Sequence, residues 1–293
     1  MNKGILYIIL AATLWGIFPS FSRFLLAEGV DPISAAAMRT YTAALIYLIY
    51  GLKLNIFKGI KIKHLPFYAG YGLTAVFGLY LSYQLAIKML PASMAAVLLY
   101  TAPCFVILFS RIIYKEKITI NKILAMIFTF IGCFLVVGAY NVNFLNFNLN
   151  GIIFGLLSGL CYSCLTLFGR KGLSLYRSEV NTILPVFFSV LFFSIIKPIW
   201  QVPMFSLEVF GLYLVIGIFG SVLPYLLYLK GMQSGVEGGD ASVISTWEPV
   251  VASIAGTIVF DDKMGIIQFI GIFLVVMGSS IPIFMRKISL KKL

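Results

Sequence analysis

Glu248 is the residue in this chain best placed to do chemistry. It stands in Ser245-Thr246-Trp247-Glu248-Pro249, inside a long apolar run. A carboxylate taken out of water has to be protonated, paired or turned toward water. Pro249 removes a helical donor and frees a carbonyl near the same depth. Two roles fit Glu248: a ligand for a solute or a proton, or a structural carboxylate that pairs with another helix or caps freed backbone. Arg39 is a second charge in an apolar run. It either snorkels outward, binds an anionic group, or pairs with Glu248. Aromatic side chains recur at helical spacing: Tyr80, Tyr83, Gln84 and Ile87 share one face, as do Tyr225, Tyr228, Leu229 and Met232. With Trp15, Tyr100 and Trp247 they could line an amphipathic cavity, rings giving apolar area and hydroxyls giving hydrogen bonds. The competing role is an interfacial aromatic belt, which suits Tyr41 and Tyr50 better than the deeper Tyr80 and Tyr225. The chemistry this set offers is binding.

Bond-making chemistry has little to stand on. The one histidine, His64, falls in a loop, so there is no intramembrane histidine relay. There is no zinc ligand set, no Asp-rich metal-diphosphate motif and no phosphate-binding glycine loop, so neither a metal nor a cofactor is expected and the chain does not read as an enzyme. Cys161-Tyr-Ser-Cys164 has redox spacing but lies in an apolar helix, where small packing residues are the plainer account of cysteine.

The elements that hold these residues are set by composition. The chain has 293 residues, 61% hydrophobic and 11% charged, against about 25% charged in soluble proteins. A helix needs about 20 apolar residues to cross hydrocarbon. Ten spans follow, at roughly 4–27, 33–51, 65–88, 91–112, 120–140, 151–170, 180–198, 206–230, 239–260 and 265–285. The first is read as a span rather than a signal peptide because 151–170 is its counterpart. Placing the N-terminus in the cytoplasm puts 17 of the 22 basic residues on that side, including Arg286, Lys287, Lys291 and Lys292 near the C-terminus. Both termini are therefore expected inside. The net charge of +12 is then a topology signal, with attraction to anionic lipid second, and not the mark of a nucleic-acid binder.

The second half of the chain repeats the first. At an offset of 146, Pro103 falls on Pro249, Glu116-Lys117 on Asp262-Lys263 and Gly132 on Gly278. At 147, Gly4 falls on Gly151 and Arg23 on Arg170; at 145, Tyr80 and Tyr83 fall on Tyr225 and Tyr228. Five spans per copy make the second copy enter from the opposite side, and loop charge agrees: Lys115-Glu116-Lys117 is net positive, Asp261-Asp262-Lys263 net negative. The expected fold is an all-α integral membrane protein of two inverted five-helix repeats, 1–140 and 151–293, joined by a polar loop at 141–150. Inverted repeats of this kind suit a carrier that exposes a midplane site alternately to each side.

The chain resembles the drug/metabolite transporter superfamily, specifically proteins with two EamA-type domains. The likeness rests on Leu14-Trp15-Gly16, Arg39, Tyr83, Ala86, Pro91 through Ala96, Pro103 with Glu116-Lys117 and Gly132, and Glu248-Pro249 with Asp262-Lys263 and Gly278. It implies a ten-helix bundle whose central cavity is lined by helices 1–4 and 6–9, with helices 5 and 10 peripheral. It also implies transport of small organic solutes across the cell inner membrane, often export of amino acids or other metabolites. Two departures stand out: Asp262 replaces the usual Glu, and Leu184 to Phe187, opposite Arg39, are apolar. The solute would lie near Trp15, Tyr80, Tyr83, Gln84, Tyr100, Tyr225, Tyr228, Trp247 and Glu248. A zwitterionic amino acid fits best, its amine on Glu248 and its carboxylate on Arg39. The rivals are a carrier of nucleobases, sugars or cationic drugs, and a membrane-embedded enzyme acting on lipid-linked substrates. The expected partners are the solute and membrane lipid, with a homodimer left open.

Overall fold

The computed structural model describes residues 3–141, 148–204 and 206–290, the last five of these as backbone only. Most of the polar connection at 141–150, together with Lys291, Lys292 and the side chains of Arg286 and Lys287, lies outside the described residues. Helices α1 (Lys3–Ala27) and α2 (Pro32–Lys53) lead the chain. A rod built from α3 (Leu65–Tyr71), a π-helical turn at Gly72–Gly78 and α4 (Leu79–Met89) follows. Then come α5 (Ala92–Leu99) with α6 (Ala102–Tyr114), and α7 (Ile120–Val136). The second half runs α8 (Leu149–Leu173), α9 (Ser178–Ile196), α10 (Leu207–Gly217) with a π-helical turn at Ile218–Val222 and α11 (Leu223–Gln233), α12 (Gly238–Ser245) with α13 (Glu248–Phe260), and α14 (Ile266–Leu290). No strand occurs among the described residues. Seven of these rods are long and apolar enough to cross a membrane, and α7 is a shorter apolar helix.

The exterior is apolar. Ile195, Trp200, Leu207 and Ile266 are each at least 80% exposed. That pattern suits hydrocarbon rather than water, because a helix satisfies all its backbone groups internally and can present apolar side chains to lipid.

Interruptions fall at matched places in the two halves. The π-turns begin at Gly72 and Ile218, and the paired half-helices break at Tyr100–Thr101 and at Thr246–Trp247. The left-handed caps closing α6 and α13 are Lys115 and Asp261, both at φ 55. Each pair is 146 residues apart. Prolines account for some of these breaks only. Pro103 and Pro249 sit in the first turn of α6 and α13, where a missing N–H costs nothing. Pro19, Pro185 and Pro282 lie inside continuous α1, α9 and α14. Neighbouring helices hold such a helix together despite the lost bond.

Glycines let two pairs of helices meet backbone to backbone. A Cβ on Gly132 of α7 would lie 2.8 Å from the Gly271 carbonyl oxygen of α14, and one on Gly278 2.9 Å from that of Ala125. Small residues at such contacts are how helices approach closely in lipid. Gly16 of α1 does the same against α13, where a Cβ would lie 2.6 Å from the Glu248 carbonyl oxygen. This contact sets α1 and its Trp15 against the start of α13.

Candidate functional site

Glu248 is the first residue of α13, halfway along the ninth rod. A carboxylate in the first turn of a helix is favoured by the partial positive charge of the unpaired N–H groups there. The Tyr162 hydroxyl of α8 donates to Glu248 Oε2 at 3.3 Å. The Tyr83 and Tyr100 hydroxyls lie within electrostatic reach of the same charge. Tyr100 and Trp247 pack in one cluster with Cys133, Val250 and Val275. Glu248 is half-buried inside the bundle, and its carboxylate meets tyrosine hydroxyls and no cation among the described residues.

A second group gathers around Arg39, which is 8% exposed. It does not snorkel outward and makes no direct ion pair with Glu248. Its Nε donates to Ser221 Oγ at 2.8 Å and its Nη2 donates to the Gly220 carbonyl. Its guanidinium carbon lies 4.1 Å from the Phe18 ring centre and 4.3 Å from that of Tyr80. The sequence explains why Gly220 has a carbonyl to offer. Pro224, four residues on, has no N–H to give it, and the π-turn widens the helix at this place. Tyr47 of α2 takes another carbonyl of the same turn, donating to Val222 at 2.9 Å.

Trp15 links the two groups. Its ring lies 6.0 Å from Tyr162, 5.4 Å from Tyr225 and 5.6 Å from Tyr228, the first two edge-on. The Tyr225 hydroxyl is 3.0 Å from that of Tyr80, which is 3.2 Å from Ser221 Oγ. Tyr228 shares a hydrogen bond of 2.7 Å with Thr166 Oγ1. A chain of hydroxyls and rings thus runs from the carboxylate to the guanidinium.

Of the residues expected from sequence, Trp15, Arg39, Tyr80, Tyr225, Tyr228 and Glu248 come together in this chain, with Tyr83, Tyr100 and Trp247 around the carboxylate. Gln84 is half-buried, and its side chain makes no hydrogen bond among the described residues. Tyr41, set aside as a belt residue, is 9% exposed and donates to the Lys197 carbonyl at 2.8 Å. Phe18, Ser221 and the Gly220 carbonyl were not expected. Ser221 lies four residues before Tyr225, on its face, which was the available signal; nothing in the sequence marks the Gly220 carbonyl except the proline that strips its donor. Tyr162 is the counterpart of Trp15 at an offset of 147, and the two rings meet.

No group of three or more His, Cys, Asp or Glu side chains able to hold a metal occurs among the described residues. A separate groove of about 360 Å³ opens between α3, α6 and α8, lined by Phe67, Phe109, Tyr114, Cys164 and Phe168 with Lys171 among its residues. None of the ten expected site residues lines it. The four cysteines are free thiols.

Known proteins place this arrangement. Residues 2–138 and 149–283 each match the EamA-like transporter family. An uncharacterized transporter of Clostridium kluyveri is 27% identical over 96% of this chain and 93% of its own length. One of Archaeoglobus fulgidus is 25% identical over 95% of this chain and 97% of its own length. A crystal structure of another protein superposes with a TM-score of 0.81 at 17% identity, over 98% of this chain and 99% of that one, which shows a shared fold. With its apolar helices and two family matches, the chain is a multi-pass membrane transporter and belongs to the EamA-like transporter family.

Proposed function

We propose that this protein is a secondary transporter of the cytoplasmic membrane that moves small organic solutes by alternating access. Its ten spans form two inverted five-helix repeats, 1–140 and 151–293, with both termini inside. Export of an amino acid or related metabolite is the reading we favour. The observation that carries it is the polar and aromatic chain from Glu248 through Tyr162, Trp15, Tyr225 and Tyr80 to Arg39. It offers one negative charge, one positive charge and aromatic area between them, matching a zwitterion with a side chain. The matched π-turns and matched half-helix breaks support two interchangeable halves, since broken helices near the midplane are where such carriers bind. Uptake of a labelled amino-acid panel into proteoliposomes tests this. Transport of at least one member supports it, and transport of none sinks the amino-acid reading.

One observation favours a cationic solute instead. Arg39 already spends donors on Gly220 and Ser221 and is flanked by Phe18 and Tyr80. Glu248 is then the charge without an ion-pair partner among the described residues, and an aromatic-flanked carboxylate suits an organic amine through ion pairing and cation–π contact. Thermal-shift screening of amines without a carboxylate against the matching amino acids separates the two readings.

A further inference from the structure

Six charged residues join the halves of the bundle in a pattern that the repeat makes readable. Arg23 of α1 pairs with Asp262 after α13 at 2.6 Å. Arg170 of α8 pairs with Glu116 after α6. These pairs correspond: Arg23 falls on Arg170 at 147 and Glu116 on Asp262 at 146. Even the aromatic partner is kept, with Arg23 3.8 Å from the Phe260 ring centre and Arg170 4.1 Å from that of Tyr114, again 146 apart. Each pair therefore fastens the first helix of one copy to the fourth rod of the other. One half-bundle is α1 with α10 to α13; the other is α8 with α3 to α6.

Lys122 does something different. It reaches Glu116 at 3.2 Å and Glu237, the residue before α12, at 2.7 Å. Glu116 belongs to the second half-bundle and Glu237 to the first, so Lys122 spans both. The same end is closed by Thr166 against Tyr228 at 2.7 Å and by Gly238, whose Cβ would lie 2.9 Å from the Thr166 methyl. The opposite end has no such device. The counterpart of Lys122 is Gln268, which donates to Val136, and the counterpart of Glu237 is Pro91. Toward that end the half-bundles are joined by the Tyr80 hydroxyl with Tyr225 and Ser221, but by no ion pair among the described residues.

We infer that Lys122 and Glu237 form a one-sided latch that holds shut the end of the bundle bearing His64 and Lys122. The two matched arginine pairs each lie within one half-bundle, so opening the latch does not require them to part. This rests on the alternating-access reading, with that end placed in the cytoplasm by its basic residues. The latch strengthens one closed end with a contact the repeat does not duplicate, so the resting equilibrium lies toward closure on that side. Lys122 and Glu116 are 13% and 10% exposed as side chains, which limits screening of their half of the bridge, while Glu237 is 58% exposed and can part from Lys122 into water.

The test uses the full chain in sealed membrane vesicles, with the native cysteines replaced and Ser242→Cys as reporter. Ser242 is buried in α12, one turn past the latch. A membrane-impermeant maleimide is added from the His64 side. Glu237→Gln, on an exposed side chain that folding does not need, is expected to raise the labelling rate by roughly 3–10-fold. Lys122→Ala should do the same, and the two together should do no more than either alone. Asp262→Asn should leave it unchanged. Unaltered labelling in Glu237→Gln overturns the latch, and an equal rise in Asp262→Asn overturns its distinction from the fastenings. If the transport reading alone is wrong, no solute moves in proteoliposomes while the labelling change persists.

Discussion

The hydroxyls of Tyr80 and Tyr225 meet at 3.0 Å, and the two residues are counterparts 145 positions apart. The halves of the chain therefore touch through the same residue type at the centre of the site. A contact between such counterparts stands where the two copies cross. Tyr225→Phe keeps the ring against Trp15 and removes one hydroxyl. It should lower stability in detergent by about 0.5–1.5 kcal/mol, read as a drop in thermal midpoint. A loss far beyond that range would mean that the hydroxyl holds more than this one contact.

Arg39 satisfies a carbonyl that Pro224 has orphaned. Arg39→Ala should cost about 1.5–3 kcal/mol, because a charge-assisted bond is lost and the Gly220 oxygen stays buried. Arg39→Lys should recover little, since an ammonium cannot reach Ser221 and Gly220 from one planar fork. Full recovery by lysine would show that charge alone matters at this position.

Gly220 has a close-approach reason to be glycine. A Cβ there would lie 2.6 Å from the Phe18 ring and 3.2 Å from Arg39 Nε. Gly220→Ala should destabilise by about 1–3 kcal/mol and push the guanidinium off the Tyr80 ring. Thermal unfolding of the variant beside Phe18→Ala with Gly220→Ala checks this, because the double variant relieves the ring clash and should regain part of the loss.

Asp31 carries a pH dependence outside the spans. Burial pushes its carboxyl up, but the Ser34 hydroxyl and backbone N–H and the Lys197 ammonium outweigh this and hold it below its ordinary value. Asp31 caps α2 and ties it to the end of α9 through Lys197 at 3.2 Å. A depressed carboxyl contributes stability that is present above its ordinary range and fades as pH falls through the folded value. Acid should therefore loosen the α2–α9 link before the bundle melts. Protection of the Ile33 and Ser34 amides from hydrogen exchange, corrected for the intrinsic pH dependence of exchange, should fall on acidification, and Asp31→Asn should flatten that response.

Much of the architecture was legible because it is written in long apolar runs. A helical rod lies in each of the ten expected intervals, seven of them long and apolar enough to cross a membrane, and the place of Glu248 along one of them was readable from its distance into the run. The repeat also gave the counterparts that meet in space, Tyr80 with Tyr225 and Trp15 with Tyr162. The details of Arg39 were not legible, because its partners are a π-turn carbonyl and Ser221 about 180 residues away, brought close only by packing of α2 against the eighth rod. The effect of a proline depends on whether neighbours and position absorb the missing donor, as they do at Pro19 and Pro185 and do not at Pro224.

Glu248 is the centre of the account, and transport by Glu248→Gln tests it most directly. With a solute found in the proteoliposome panel, uptake is measured from pH 5 to 9 in both proteins. The carboxylate is expected to bind the solute amine or a proton through a charged hydrogen bond of about 1.5–3 kcal/mol. Glu248→Gln should then lower uptake by roughly tenfold or more, and remaining flux should no longer vary with pH. Uptake at the original rate with the original pH profile would contradict the assignment of Glu248 as the binding group.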